Sequence, residues 1–157
     1  MTAVPARFVA IIGQITGRLV DKPADTALRT FLEDEFPSEG ALFTELQTLC
    51  RQGVVEGWLC TREADGIKFG RVIKPNSDSN GFSVDVVDMH DVVGPHHVHP
   101  KGEIDMVMPF DAEARFDGAG KGWTVYGPGS AHKPTVTGGR ALILYLLPGG
   151  EIAFTPA

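Results

Sequence analysis

Cysteine is scarce in this chain of 157 residues, which contains only Cys50 and Cys60. Two thiols are a poor basis for a disulfide framework, and their spacing matches no zinc or redox motif. We therefore expect both thiols to be reduced and partly buried, as is typical of a cytoplasmic protein.

Positive charge and long apolar runs are also lacking. The formal net charge is −6, whereas nucleic-acid-binding proteins usually carry a basic patch or stripe, so we expect no nucleic-acid partner. No apolar stretch approaches the ~20 residues that span a bilayer, and residues 8–12 are too short and too close to Arg18 for a signal peptide. We therefore expect no membrane partner. A small anionic substrate stays compatible with this charge, because it needs only one or two local cations.

Helical periodicity occupies the first third of the chain. Apolar residues recur at helical spacing up to Pro23, which predicts a first helix. Asp25 can cap a second helix over 26–36, and Ser38 can cap a third helix that ends at Gly53.

From residue 57 onwards, glycine, proline and asparagine interrupt short segments of β character. Strands are predicted at residues 58–62, 67–74, 82–89, 96–99, 103–109, 114–117, 124–126, 141–147 and 152–154. Turns are predicted at residues 75–81, 118–122 and 138–139. Many short strands with regular turns favour a sandwich or barrel over a parallel sheet. No linker-like composition follows the helices, so we expect one domain over 1–157, with 1–53 packed on a barrel of 57–157.

All histidines of the chain lie in one stretch: His90, His96, His97, His99 and His132. Imidazole and carboxylate are the usual nitrogen and oxygen ligands of a catalytic divalent metal. His97 and His99 are two positions apart, so they point to the same face of a strand. Residues 100–102 favour a turn, after which Glu103 begins a neighbouring strand. A third histidine from a distant strand would complete a metal site, whereas the alternative is a surface hairpin of solvated side chains.

The pattern H-x-H-x3-E, followed later by G-x-x-H, is similar to the two-motif metal signature of the cupin superfamily. This resemblance implies a mainly β fold: a cupin-type antiparallel β-barrel (double-stranded β-helix, or jelly roll) preceded by about three α-helices. It also implies one divalent metal ion, with Fe, Mn, Zn, Ni and Co equally compatible. The implied metal ligands are His97, His99, Glu103 and His132.

A narrower resemblance rests on the segments QGVVEGW (52–58), HVHPKGEID (97–105) and PGSAH (128–132). These segments resemble those of the 4-hydroxylaminobenzoate lyases, which are short bacterial cupins with a helical N-terminal part. The resemblance implies conversion of 4-hydroxylaminobenzoate, a small aromatic acid, to protocatechuate and ammonium during nitroaromatic acid breakdown. Rival functions are another metal-dependent cupin enzyme, such as a dioxygenase or isomerase acting on a small acid, and a non-enzymatic small-ligand-binding cupin.

Two charged residues are candidates for roles beside the metal. Asp105 shares a strand face with Glu103, so it would look into the barrel and act as an orienting group or a general base. Arg71 shares a face with Phe69 and Ile73, where its fork could bind a substrate carboxylate. The alternatives are an exposed acid at a bulge and an arginine on the outer surface of the barrel.

Three further residues are candidates for substrate binding. Lys101 lies in the turn between the ligand strands and could reach the barrel mouth, or it is a solvated turn lysine. Trp123 and Tyr126 flank the second motif and could stack on an aromatic ring, or they could fill the core. Small cupins often pair through barrel edges, which would cover exposed strands, so we also expect a homodimer.

Overall fold

The computed structural model of the chain describes residues 3–155. The helices are α1 (Ala6–Gly17), α2 (Thr26–Glu35) and α3 (Ala41–Glu56). The strands are β1 (Arg62–Ala64), β2 (Ile67–Ile73), β3 (Phe82–Val93), β4 (His97–His99), β5 (Glu103–Pro109), β6 (Arg115–Phe116), β7 (Gly122–Tyr126), β8 (Ser130–His132), β9 (Thr135–Pro148) and β10 (Ala153–Phe154). Within the described range, no helix is long and apolar enough to cross a membrane.

The strands form two antiparallel sheets that face each other. The large sheet has the order β1-β2-β3-β9-β5-β7, with β6 also paired to β9, and the small sheet has the order β10-β4-β8. Within residues 3–155 the space between the sheets is bounded by their facing side chains, without a continuous hydrogen-bonded ring of strands. The architecture confirms the predicted fold class, a mainly β, cupin-type antiparallel barrel that three α-helices precede.

The large sheet is buried on both faces, because its side chains alternate between two apolar clusters. One face packs against the helices, where Val84, Met106 and Leu144 join the buried side of α1 in a single cluster. Each fully buried side chain of this size contributes about 1.5–3 kcal/mol relative to exposure. The other face, which includes Val107 and Ile143, lines the interior between the sheets.

The helices begin and end close to the predicted positions, with one difference at α3. Asp25 caps α2 as predicted, since its Oδ1 accepts a hydrogen bond of 2.9 Å from the Leu28 N–H. The prediction that Ser38 caps α3 and that Gly53 ends it is wrong, because Gly40 precedes the helix and Gly57 ends it with φ of 87°. Gly53 lies within α3, where its lack of a side chain lets Leu59 pack against the helix. A Cβ at this position would lie only 2.7 Å from the Leu59 side chain.

Three strand predictions need correction. The segment 58–62 is not a strand, because Trp58 and Leu59 are buried in the helix-side cluster and the strand begins only at Arg62. The turn predicted at 138–139 is a bulge inside β9, where both glycines have positive φ and the register with β3 shifts. The sequence analysis missed β8, whose three residues are too few to show alternation.

Candidate metal centre

The four residues with ligand chemistry meet between the two sheets. His97 and His99 come from β4, and β4 pairs with β8 so that His132 lies directly opposite His97. Glu103 reaches the same point from the first position of β5 in the large sheet. The potential ligand atoms of all four side chains lie within 4.8 Å of one another.

The carboxylate of Glu103 lies at the centre of the cluster. Its Oε1 is 3.4 Å from His97 Nε2 and 3.3 Å from His99 Nε2. Its Oε2 is 3.6 Å from His132 Nε2, and the Nε2 atoms of His97 and His132 are 3.1 Å apart. His97, His99 and Glu103 are almost completely buried, so solvent water does not surround these atoms.

The outer nitrogen of every cluster histidine has a hydrogen-bond partner. Nδ1 of His97 contacts the Pro95 carbonyl at 3.3 Å, and Nδ1 of His99 contacts Ser130 Oγ at 3.0 Å. Nδ1 of His132 contacts a carboxylate oxygen at 2.6 Å. These contacts favour the tautomer with the proton on Nδ1, which leaves the Nε2 lone pairs facing inward.

The inner atoms fit a divalent cation. Within residues 3–155, His99 Nε2 and both oxygens of Glu103 are buried without a hydrogen-bond partner. Unpaired buried polar atoms are costly, whereas three neutral imidazoles and one carboxylate are a common donor set for a divalent transition metal.

The charges of the cluster support the same interpretation. Burial would raise the pKa of Glu103, but in the metal-free protein hydrogen bonding from the imidazoles, that of His132 first, holds it well below its usual range. Burial would lower the pKa of His132, but Asp117 and Glu103 raise it to about 9. In the metal-free protein a proton on His132 therefore compensates part of the negative charge that a bound cation would otherwise balance.

Asp117, which the sequence analysis missed, holds His132 in place. Its Oδ2 accepts hydrogen bonds from His132 Nδ1 and from the Tyr126 hydroxyl, both at 2.6 Å. Its Oδ1 accepts a third from the Thr135 N–H at 2.9 Å. Carboxylates in this position orient a ligand histidine and increase its basicity. In the sequence, Asp117 ends the strand predicted over 114–117, and no spacing relates it to His132.

Asp105 faces the interior, as predicted from its spacing to Glu103. It is completely buried, and neither of its carboxyl oxygens has a hydrogen-bond partner in the described chain. Burial, and then the charge of Glu103, raise the pKa of Asp105 well above its usual range. Asp105 is thus a buried carboxyl with a raised pKa beside the cluster, and the task of orienting a ligand histidine belongs to Asp117.

Asp105 is part of a polar row that crosses the large sheet. In cross-strand register the row consists of Arg71, Asp85, Tyr145, Asp105 and Thr124. Tyr145 was missed from the sequence, because β9 is apolar on both faces and gives no alternation. Its ring centroid is 6.4 Å from that of His97, and its hydroxyl takes part in none of the hydrogen bonds within residues 3–155.

Arg71 also faces the interior, but its fork is already engaged. Its Nε and Nη2 donate to the two carboxylate oxygens of Asp85 at 3.1 and 3.2 Å. Nη2 also donates to the Gly150 carbonyl at 3.2 Å. The bidentate contact that the sequence predicts for a substrate carboxylate is therefore made by Asp85.

The remaining substrate-binding candidates lie in different places. The ring of Tyr126 packs 4.5 Å from that of His132, next to the cluster. Lys101 is exposed and forms an ion pair of 2.8 Å with Glu151. The stacking role predicted for Trp123 does not fit its position, because the ring is buried on the helix side of the sheet and its Nε1 donates to the Phe36 carbonyl.

A cavity of about 890 Å³ lies between the sheets and reaches His97. This volume is within the range of small-molecule sites. Its apolar lining comes from Ile67, Phe69, Val87, Met89 and Ile152. Its polar lining comes from Arg62, Asp65, Arg71, Asp85 and Tyr145, together with His97. The cavity therefore combines an apolar wall with polar groups at both ends.

Comparison with known proteins decides the family. The family model described as 4-hydroxylaminobenzoate lyase matches residues 10–154. The chain belongs to this family. The 4-hydroxylaminobenzoate lyase of Nocardioides sp. (strain LMS-CY) is 33% identical over 145 residues, covering 87% of this chain and 86% of that protein. The enzyme of the same name from Pseudomonas putida is 30% identical over 154 residues, covering 87% and 88%.

The solved structures that resemble this chain have lower sequence identity to it. A protein with a double-stranded β-helix domain from Klebsiella pneumoniae has a TM-score of 0.46 at 21% identity, over 66% of this chain and 95% of that chain. An RmlC-like cupin from Ralstonia eutropha has a TM-score of 0.45 at 12% identity, over 59% and 62%. The fold assignment rests instead on the strand pairing of the lyase-family chain itself, and the predicted family resemblance is confirmed.

Proposed function

We propose that this chain is a metal-dependent lyase that converts 4-hydroxylaminobenzoate to protocatechuate and ammonium in the breakdown of nitroaromatic acids. The main support for this proposal is a buried cluster of three histidines and one glutamate next to a cavity with an apolar wall. The relatives from Nocardioides and Pseudomonas putida, which bear the lyase name, support the substrate.

The reaction balances with water as the only co-reactant. The N–O bond of the substrate breaks, a ring C–H becomes C–OH, and the C–N bond is replaced by C–O. One water is consumed and one ammonia is released. The electrons lost by the ring carbons are taken up by nitrogen as the N–O bond cleaves, so no external oxidant is needed.

The four cluster residues, His97, His99, Glu103 and His132, would hold one divalent ion. Such an ion supplies Lewis-acid polarisation or a bound water of lowered pKa. Fe, Mn, Zn, Ni and Co all suit this nitrogen and oxygen donor set.

Two interior residues are suited to take part in the reaction, Tyr145 from the cavity lining and Asp105 from the buried interior beside Glu103. Asp105 is two positions after Glu103 in β5, so both side chains lie on the same face of the strand. The buried carboxyl of Asp105 can carry a proton to or from the reacting group. Tyr145 lines the cavity next to His97, and its neutral hydroxyl can donate a hydrogen bond to the hydroxylamino group. The apolar side chains of Phe69 and Val87 hold the ring and keep water from its faces.

The experiment is anaerobic incubation of metal-analysed protein with 4-hydroxylaminobenzoate, following ammonium and protocatechuate together. We expect the two products in equal amounts without dioxygen, loss of both on chelation, and recovery with a divalent ion. His99→Ala should lose bound metal and turnover together. Absence of turnover by metal-loaded protein would overturn the proposal, and oxygen uptake matched to product would favour a dioxygenase.

A further inference from the structure

We propose that Arg62 binds the carboxylate of the substrate at the far end of the cavity and sets a preference for aromatic acids. The inference rests on the proposed function, since it takes a benzoate-type molecule as the occupant of this cavity. Arg71, the residue predicted for this role, is paired with Asp85 within the protein. Arg62, on the edge strand β1, takes its place in this proposal.

The β1–β2 hairpin places Arg62, which is exposed, on the side of the sheet that faces the cavity. Its two strands join through Asp65 and Gly66, whose φ angles of 52° and 80° form a tight two-residue turn. Arg62 lies directly opposite Phe69, and opposite residues share a face of the sheet. Phe69 lines the cavity, so Arg62 lies on the cavity side, and both residues are part of its lining.

Arg62 ends a row that is otherwise apolar. The row continues across the large sheet through Phe69, Val87, Ile143 and Val107. An aromatic ring can lie against Phe69 and Val87 with a carboxylate at Arg62. The opposite end of the ring then points toward Tyr145 and the histidine cluster.

Three strands, β2, β3 and β9, lie between the strand of Arg62 and the strand that carries Glu103 and Asp105. β1 and β5 are four strand spacings apart along the order β1-β2-β3-β9-β5, which amounts to about 19 Å. Within residues 3–155 no hydrogen bond or ion pair joins Arg62 to Glu103 or Asp105. Removal of Arg62 should weaken substrate binding and leave the reacting groups in place.

The charge balance at this end of the cavity favours Arg62 over Arg71. Asp85 neutralises Arg71, whereas no hydrogen bond or ion pair within residues 3–155 engages the exposed guanidinium of Arg62. An arginine fork matches the two oxygens of a carboxylate. Asp65 lines the same rim with the opposite charge, so it should oppose binding of an anion.

The chain offers a matched control in the same hairpin. Lys68 lies on β2 opposite Glu63, one position from Phe69 and hence on the other face of the sheet. Lys68→Gln removes the same charge from the same hairpin outside the cavity. Asp65→Asn removes a charge of opposite sign from the cavity rim.

The first test is calorimetric binding of 4-aminobenzoate, which keeps the carboxylate and lacks the N–O bond, to the metal-loaded protein. We expect Arg62→Gln to weaken binding roughly 3- to 10-fold, because solvent around the exposed guanidinium weakens its contact with a carboxylate. Lys68→Gln should bind like the parent, and Asp65→Asn should bind more tightly. Equal affinity of Arg62→Gln and the parent, or no binding by the parent, would overturn the inference.

The second test is steady-state turnover of 4-hydroxylaminobenzoate. Arg62→Gln should raise KM by a similar factor with kcat within about twofold, the signature of lost uniform binding. With phenylhydroxylamine, which lacks the carboxylate, the variant and the parent should have the same KM. If 4-aminobenzoate binding depends on Arg62 but the parent shows no turnover, the proposed function is wrong and the carboxylate site stands. If Arg62→Gln turns over normally with unchanged KM, the carboxylate site is wrong and the proposed function stands.

Discussion

Replacement of Asp117 by asparagine should weaken metal binding without removing a ligand. The carboxylate accepts hydrogen bonds from His132, Tyr126 and Thr135. An asparagine side chain has one oxygen and one NH₂ group, so at least one of these donors must then face another donor. The substitution also removes the negative charge that favours a positively polarised imidazole at His132.

The expected loss follows from the geometry. The contact between Asp117 and His132 Nδ1 measures 2.6 Å, and the carboxylate side chain is 21% exposed, so solvent weakens the contact only in part. Loss of such an orienting carboxylate typically costs 10- to 100-fold in metal affinity, about 1.4–2.7 kcal/mol. The metal should still bind, because His97, His99 and Glu103 are untouched.

The assay is competition for a divalent ion against a chromogenic chelator at fixed pH. Asp111→Asn is the matched control, since Asp111 also accepts a backbone hydrogen bond, from Arg140 at 2.8 Å, and does not contact His132. We expect parental affinity for that control. Parental affinity in Asp117→Asn, alongside lost binding in His132→Ala, would refute the argument that Asp117 supports the site.

Three further outcomes follow from other parts of the structure. Tyr145→Phe should lower kcat about 10- to 100-fold with unchanged metal content, because a donor to the reacting group is lost; unchanged kcat would contradict this role. Trp123→Phe should lower the free energy of unfolding by about 1–3 kcal/mol with unchanged KM, measured by denaturant titration and kinetics. In the folded protein the pKa of His132 is raised from 6.5 to about 9, so the protonated imidazole stabilises the fold below this range. The Tm of the chelated protein should therefore fall as the pH rises from 6.5 to 9, whereas the Tm of the metal-loaded protein should not.

Local spacing was sufficient to bring together three of the four candidate ligands, whereas His132 came from the resemblance to the cupin motif. His97 and His99 share a face through the two-residue period of a strand, and Glu103 follows them across one turn. For Asp105 and Arg71 the same period left an inward and an outward position open, and both side chains lie on the interior face. Residues near one another in the chain are the ones whose relative placement a local period can indicate.

The features that the sequence did not predict depend on strands that are distant in the chain. Asp117, which follows β6, meets His132 only because the end of β8 comes next to it in the folded chain. Asp85 engages Arg71 through the register of β2 and β3, which no local pattern specifies. Arg62 was predicted as the end of a strand over 58–62, whereas it begins the hairpin that faces the cavity.

Metal titration of the chelated protein tests the central claim most directly. Divalent ion is added in steps, bound metal is measured, and protocatechuate formation from 4-hydroxylaminobenzoate is followed anaerobically at each step. The account predicts that activity rises in proportion to bound metal and stops rising at one ion per chain, with neither binding nor activity in His99→Ala. Full turnover by protein that holds no metal, or by His99→Ala, would contradict it.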